Sequence, residues 1–365
     1  MRVVLFSTRF FEYTIELANA LSSNVKVSLF LPKNLMSEEE IEQISSSLDF
    51  QPYNLRRRIN ILGSIFMIIS IARRIRSINP DVIHIQGEGH NYFFIAFLLL
   101  RKYPFVDTVH DVIPHVGDER ADKLFMRSFS SFFSSGWIAH GDHQKLQLSK
   151  FYDVPKEKIT VMPIGQYSFF KRISKRKFNE DKNKILFFGR IAKYKGLKHL
   201  IKAGSLIKKE HPEAKIVIAG TGDSMAPYSD LINNNDVFII KNYRIPNNEV
   251  DELFQKCSFV ILPYIDASQS GVISTAYSYG KPVIVTNVGS LSQYVIENQT
   301  GFVIPSRDSS AIADSALKLL KDPNLKDRMS KSVLKLSNSI MSWPVIAQKT
   351  ITSYKNTIRH FRNEK

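Results

Sequence analysis

The chain has 365 residues, 44% of them hydrophobic and 23% charged, with a formal net charge of +16. That describes a soluble globular protein too long for one ordinary core, so two domains are expected. One cysteine, Cys257, excludes a disulfide framework and a thiolate metal cluster, and fits a reducing cytosol. The positive charge admits three kinds of partner: nucleic acid, an anionic membrane surface or anionic substrates. Neither a zinc-finger nor an RNP-type signature is present, which disfavours nucleic acid.

Met1-Arg2 runs straight into the apolar Val3–Phe6, read as a first strand with no signal peptide before it. Phe11–Leu21 follows as a helix with Ile15, Leu17, Ala18 and Leu21 inward, and Val25–Leu31 as a strand stopped by Pro32. This β-α-β order predicts a parallel, doubly wound sheet. In Leu55–Arg76, Arg56, Arg57, Arg58, Arg73, Arg74 and Arg76 bracket the apolar Ile61–Ile71 with no acidic residue between. The apolar part is shorter than the roughly 20 residues a membrane span needs. Two readings stand: a basic amphipathic helix lying on anionic lipid, or a domain helix whose arginines snorkel at its ends.

Asp81–Ile85 is a further strand, followed by the polar Gln86-Gly87-Glu88-Gly89-His90, and Phe93–Leu100 is a core helix. The strand Phe105–Val109 delivers His110-Asp111-Val112-Ile113-Pro114-His115 at its carboxyl end, where open α/β sheets bind ligands. His110, Asp111 and His115 have the residue types of a metal site, and a lone histidine there can equally be structural. The aromatic cluster Phe129–Phe133 reads as core. Trp137–Ala139, ending at His140, and Lys158–Met162 complete this half. Lys171–Lys184 holds seven basic residues and reads as an exposed linker. Strands at Ile185–Phe188, Lys215–Ala219, Val237–Ile240, Phe259–Leu262 and Pro282–Thr286 then alternate with helical stretches. The predicted boundaries are therefore 1–170, 171–184 and 185–342, with a helix Trp343–Arg362 reaching back to the first domain.

In Ile185–Leu197 an apolar strand ends at Gly189, and Arg190 and Lys195 follow where a turn and a helix N-terminus would present N–H groups. Two cations and those N–H groups suit a diphosphate, although a plain strand–helix connection with solvated lysines has the same composition. Ser270-Gly271-Val272 opens a second helix-like stretch, Gly271–Tyr279, with the same capacity. No Walker-type glycine loop is present, so kinase-type phosphate binding is not expected.

Six segments in order resemble the GT-B glycosyltransferases of family 4, which transfer sugar from a nucleotide donor with retention. They are Asn79–His84, Thr108–Asp111, Lys158–Gly165, Phe188–Leu197, Ile218–Asp223 and the run from Leu262-Pro263-Tyr264 to Gly280-Lys281-Pro282-Val283. The resemblance implies two doubly wound, Rossmann-like parallel-sheet domains facing a central cleft. It also implies Gly189, Arg190 and Lys195 at the donor diphosphate, Ser270, Gly271 and Val272 beside them, and His110 against the transferred sugar. Transferases of this fold generally need no metal, and no cofactor is expected because the UDP- or GDP-sugar is a substrate. Asn242–Pro246 lies where the fold usually holds the nucleotide base, which would give Tyr243 and Arg244 that role; a polar turn fits the same residues.

Two departures stand out. Where the family places paired glutamates before the Gly-Lys-Pro turn, this chain has Ala267 and Thr275, so Thr275 is the expected ribose contact with a single hydroxyl to offer. Ala267–Val272 instead looks like a subgroup of bacterial surface-polysaccharide enzymes. The usually glycine-rich loop after the first strand reads Ser7-Thr8-Arg9-Phe10-Phe11-Glu12. Arg9 and Glu12, with His84 and Asp111, are assigned to the acceptor side. The expected function is transfer of a sugar to a lipid-linked glycan on the inner membrane face, reached through Arg56–Arg58 and Arg73–Arg76. A nucleotide-sugar 2-epimerase on the same fold would need cleft carboxylates, which Ala267 and Thr275 do not supply. A non-enzymatic module binding anionic lipid or nucleic acid would show no nucleotide-sugar affinity.

Overall fold

A computed structural model describes residues 1–56, 60–87, 94–113, 128–174, 176–233 and 236–363. These form two compact units: the described residues from Met1 to Gly165 together with those from Ser342 on, and Gln166–Met341.

The first unit is built on a seven-stranded parallel sheet of order β3-β2-β1-β4-β5-β6-β7. Its strands are β1 (Arg2–Ser7), β2 (Lys26–Phe30), β3 (Asp49–Phe50), β4 (Val82–Gln86), β5 (Phe105–Val109), β6 (Gly136–Ala139) and β7 (Ile159–Val161). β1 is central, with Val3 opposite Val27 on one side and Val82 on the other. Its Val-Val-Leu-Phe run is buried because helices cover both faces, which is why it is continuously apolar rather than alternating. The edge strand β3 is two residues long and left no sequence signal.

The helix Trp343–Asn363 lies against the helix Phe11–Ser22 and against β6. The fit is close: a Cβ added at Gly136 would stand 2.0 Å from Thr357 Oγ1. The helix Ile61–Ile78 is N-capped by Asn60, whose side chain accepts from Gly63 N at 2.8 Å, and closed by Asn79 in the left-handed region. It buries Ile68, Ile71, Ala72 and Ile75 in the core, so it is a domain helix. Its outer stripe is unusual: Leu62 and Phe66 are each 71% exposed, and Arg73 continues the same face. Arg74 is tied inward, donating to Pro52 O at 3.0 Å and Gln51 Oε1 at 2.5 Å, and Arg76 donates to Leu99 O. Arg57 and Arg58 lie outside the described residues. No helix among the described residues is long and apolar enough to cross a membrane. Phe129 and Phe133 stack on each other and against the core, while Phe132 points out.

The second unit has a six-stranded parallel sheet of order β10-β9-β8-β11-β12-β13. Its strands are β8 (Lys184–Phe188), β9 (Lys215–Ala219), β10 (Phe238–Lys241), β11 (Phe259–Leu262), β12 (Val283–Thr286) and the unanticipated β13 (Gly301–Ile304). The stretch read as an exposed linker belongs to this unit. Glu180 is clamped between Lys281 (2.5 Å) and Lys326, both nearly buried; Phe178 N donates to Gln255 Oε1 at 2.9 Å; and Lys171 Nζ donates to Ser278 O at 2.6 Å. Burial pushes the Cys257 thiol up to about 12, which makes it a small apolar core residue.

The Gly136–Thr357 contact gives a test of the terminal helix. Gly136→Ala should lower stability by about 1–3 kcal/mol through overpacking. Adding Thr357→Ala should recover most of that loss, read as a thermal midpoint followed by tryptophan fluorescence. Both tryptophans, Trp137 and Trp343, lie in the first unit.

Candidate functional site

In a doubly wound sheet, loops leaving two neighbouring strands in opposite directions open a crevice at their carboxyl ends. In the second unit that point lies between β8 and β11. β8 ends at Gly189, whose φ of +128° suits glycine and whose N–H donates to Ala219 O at 3.0 Å. The exposed Arg190 follows. A short turn, Lys193–Lys195, then closes on Gly196, where φ is +68° and an added Cβ would stand 1.9 Å from Pro263 O. Only glycine lets the β8 loop press so closely on the β11 loop. The contact sets Lys195 Nζ 3.7 Å from the centroid of the buried Tyr264 ring. Tyr264 OH lies 3.3 Å from Ser270 Oγ, and Ser270 precedes the helix Gly271–Ser278. Val272 completes the cluster, its Cγ2 being 3.8 Å from where a Gly189 side chain would begin. Gly189, Arg190, Lys195, Ser270, Gly271 and Val272 are thus brought together: two cations and a helix N-terminus at one sheet edge, a chemistry suited to phosphate.

In the first unit the corresponding point lies between β1 and β4, and β5 is next in line. His110, directly after β5, is 5% exposed and stacks on Phe10 at 3.9 Å between centroids. Tyr13 meets the same ring edge-on, and Gln144 Nε2 donates to His110 O at 2.6 Å. Gln86 Oε1 lies 3.2 Å from His110 Nε2. Phe10 holds φ 55° and ψ 47°, a left-handed conformation uncommon for a bulky residue and found mostly where function needs it.

A family model described as "Glycosyl transferases group 1" matches residues 169–335, and one described as "Glycosyltransferase Family 4" matches 12–165. Among curated proteins, an uncharacterized glycosyltransferase of Methanocaldococcus jannaschii is 24% identical over 296 residues, 75% of each chain. The chain is a glycosyltransferase of the GT-B fold. The Anabaena protein HepE, solved in complex with UDP, superposes with a TM-score of 0.72 at 14% identity, covering 98% of this transferase and all of HepE. A Neisseria meningitidis UDP-GlcNAc 2-epimerase bound to UDP-GlcNAc superposes at 0.60 with 16% identity, covering 96% of this chain and all of its own.

The other residues named from the sequence take varied positions. Thr275 is buried in the helix Gly271–Ser278, and its hydroxyl donates to Gly271 O at 3.1 Å, which leaves its lone pairs as acceptors. His84 is not on an acceptor surface: it is fully buried, with Nδ1 2.6 Å from Tyr354 OH and Nε2 2.7 Å from Thr108 Oγ1. Tyr243 and Arg244 are exposed beyond β10, and Tyr243 OH donates to Glu249 Oε1 at 2.7 Å in a cluster with Lys241. Arg9 is exposed, with its N–H donating to Ser7 Oγ at 3.1 Å, while Glu12 and Asp111 are half-buried beside the His110 pocket loops. Glu88, Gly89, His90, Pro114 and His115 lie outside the described residues, and no group of three His, Cys, Asp or Glu among the described residues could hold a metal ion. Gln86 and His140 also meet the His110 ring, Gln86 Oε1 3.2 Å from Nε2 and His140 5.2 Å away between centroids. Both sit at strand ends, a signal available from the sequence, but their contacts join separate strands.

Burial lowers the His84 imidazole from 6.5 to about 3, helped by the nearby His140, and lowers His140 to about 4 against the opposing pull of Met162 O. In the unfolded chain both would take a proton near 6.5. Protonation therefore favours unfolding, and the stability that neutrality confers is lost as pH falls from 6.5 towards 4. His84→Gln should make the unfolding free energy, from tryptophan-monitored urea titration, less steep in pH between 6 and 4.5 by up to about 1.4 kcal/mol per pH unit. An unchanged slope would mean His84 does not titrate on unfolding.

Proposed function

We propose that this glycosyltransferase moves a sugar, with retention, from a nucleotide sugar to a lipid-linked glycan on an anionic membrane surface. The observation that carries the donor is the convergence of Arg190, Lys195 and the Ser270–Val272 helix start at the second sheet's switch point. As the bond between sugar and diphosphate breaks, negative charge grows on the departing phosphate oxygen. Two cations and the N–H groups of a helix start offset that charge, a contribution of several kcal/mol in comparable sites. HepE's complex with UDP supports a uridine nucleotide as the first donor to try. His110 is assigned to the transferred sugar as a positioning contact, on the family resemblance and its strand-end pocket. No metal or cofactor enters the proposal, because Arg190 and Lys195 take the charge-neutralising role. The epimerase likeness is one of fold. Turnover of the donor without an acceptor would speak for that chemistry instead.

The membrane half of the proposal rests on the helix Ile61–Ile78. With Arg74 and Arg76 tied to backbone oxygens, Leu62 and Phe66 become the inserting residues, and Arg56 and Arg73 the lipid-facing charges. An exposed pair of large apolar side chains beside basic ones is the pattern of an interfacial helix.

Two measurements test these halves separately. With a panel of UDP- and GDP-sugars, Arg190→Ala should lower turnover by about 10²-fold or more; full activity would remove Arg190 from the site. In flotation with phosphatidylglycerol vesicles, Leu62→Ser/Phe66→Ser should weaken binding by roughly 10²- to 10⁴-fold, from about 1.5–3 kcal/mol for each buried side chain. Unchanged flotation would leave that face without a membrane role.

A further inference from the structure

We infer that Gln86 is a positioning residue for His110, fixing its ring and its tautomer through a buried polar chain that runs back to the C-terminal helix. The inference rests on the reading of His110 as the sugar contact.

Side chains two residues apart on a strand share a face. His84 and Gln86 on β4, and Thr108 on β5 with His110 just beyond it, therefore form one stripe, and Gln86 pairs directly with Thr108 across the ladder. The side chains connect in sequence. Tyr354 OH lies 2.6 Å from His84 Nδ1, Thr108 Oγ1 2.7 Å and Gln86 Nε2 3.3 Å from His84 Nε2, and Gln86 Oε1 3.2 Å from His110 Nε2. Every member is at most 5% exposed. Buried polar groups of this kind must satisfy one another, so the proton positions are coupled.

The direction of the chain follows from the donor inventory. Gln86 turns its carbonyl oxygen to His110, an acceptor that requires a proton on His110 Nε2. Its amide N–H points at His84 Nε2, which Thr108 also addresses, placing the lone pair there and the His84 proton on Nδ1 towards Tyr354. The buried His84 stays neutral, which keeps that assignment single-valued. His110 is thereby held with its proton on Nε2 and its lone pair on Nδ1. Phe10 fixes the plane of the ring from one side. Gly87 makes room for that stack, since an added Cβ would stand 3.0 Å from the Phe10 ring.

The tautomer can be read without any substrate, by two-bond nitrogen–proton correlation spectra of the full chain labelled with 15N-histidine. His110 is assigned by the signal lost in His110→Asn. The wild-type ring should show a single form protonated at Nε2. Gln86→Leu should mix the tautomers and lower kcat for a turned-over UDP-sugar by about 10-fold to 10²-fold, with donor KM within about twofold. Gln86→Glu, which keeps an acceptor, should restore the Nε2-protonated form and part of kcat. A wild-type His110 protonated at Nδ1, or a Gln86→Leu variant with unchanged tautomer and kcat, would overturn the inference. Should Gln86→Leu not fold, the wild-type spectrum and Gln86→Glu still decide. If His110→Ala turns over donor at the wild-type rate, the sugar-contact reading fails, while the tautomer result still reports on Gln86.

Discussion

Backbone pressed on backbone along the carboxyl edge of the second sheet is the constraint on which the cluster of Arg190, Lys195 and Ser270 depends. An added Cβ would stand 1.9 Å from Pro263 O at Gly196 and 1.8 Å from Gly189 O at Gly220. Side-chain-free positions let the loops after β8, β9 and β11 close to van der Waals distance. That closeness turns three separate loops into one surface. Lys195 then reaches the Tyr264 ring, and Tyr264 reaches Ser270 at the start of the next helix. A cation resting on a buried aromatic face has part of its surroundings supplied by the protein and is held in place before any anion arrives.

The first unit solves a different problem with different means. Its sheet carries a stripe of polar side chains through an otherwise apolar core, at β4 and β5. Such a stripe is costly unless every group is partnered, and the terminal helix supplies Tyr354 as the last partner. The helix Trp343–Asn363 therefore does more than cover apolar area. It closes a hydrogen-bond chain that ends at His110, after β5. The strained backbone at Phe10 belongs to the same arrangement, since its ring is the flat wall against which His110 rests.

Charge is distributed with similar economy. Of the arginines around the helix Ile61–Ile78, some satisfy carbonyl oxygens of the fold, and others are left on a face with Leu62 and Phe66. In the second unit, lysines in the 171–184 region and near the Gly-Lys-Pro turn converge on Glu180 and on backbone oxygens. A net charge of +16 is thus no measure of the charge available to a ligand.

The sequence by itself determined the two parallel sheets, because a strand buried on both faces must be a continuous apolar run and the turns between runs are punctuated by glycine, proline and polar residues. It also determined where cations follow a strand end, hence Arg190 and Lys195, since that depends only on local order along the chain. The tertiary structure decided what depends on a second strand or helix. Composition alone made 171–184 a linker, and Gln255, Lys281 and Lys326 made it part of a domain. Helix geometry places Gly271 O beneath the Thr275 hydroxyl, which takes its proton. His84 looked like a surface ligand until the terminal helix, 270 residues further along, brought Tyr354 to its ring. Hydrogen-bond partners so distant in sequence leave no local periodicity, and for that reason the chain from Tyr354 to His110 is legible only in three dimensions.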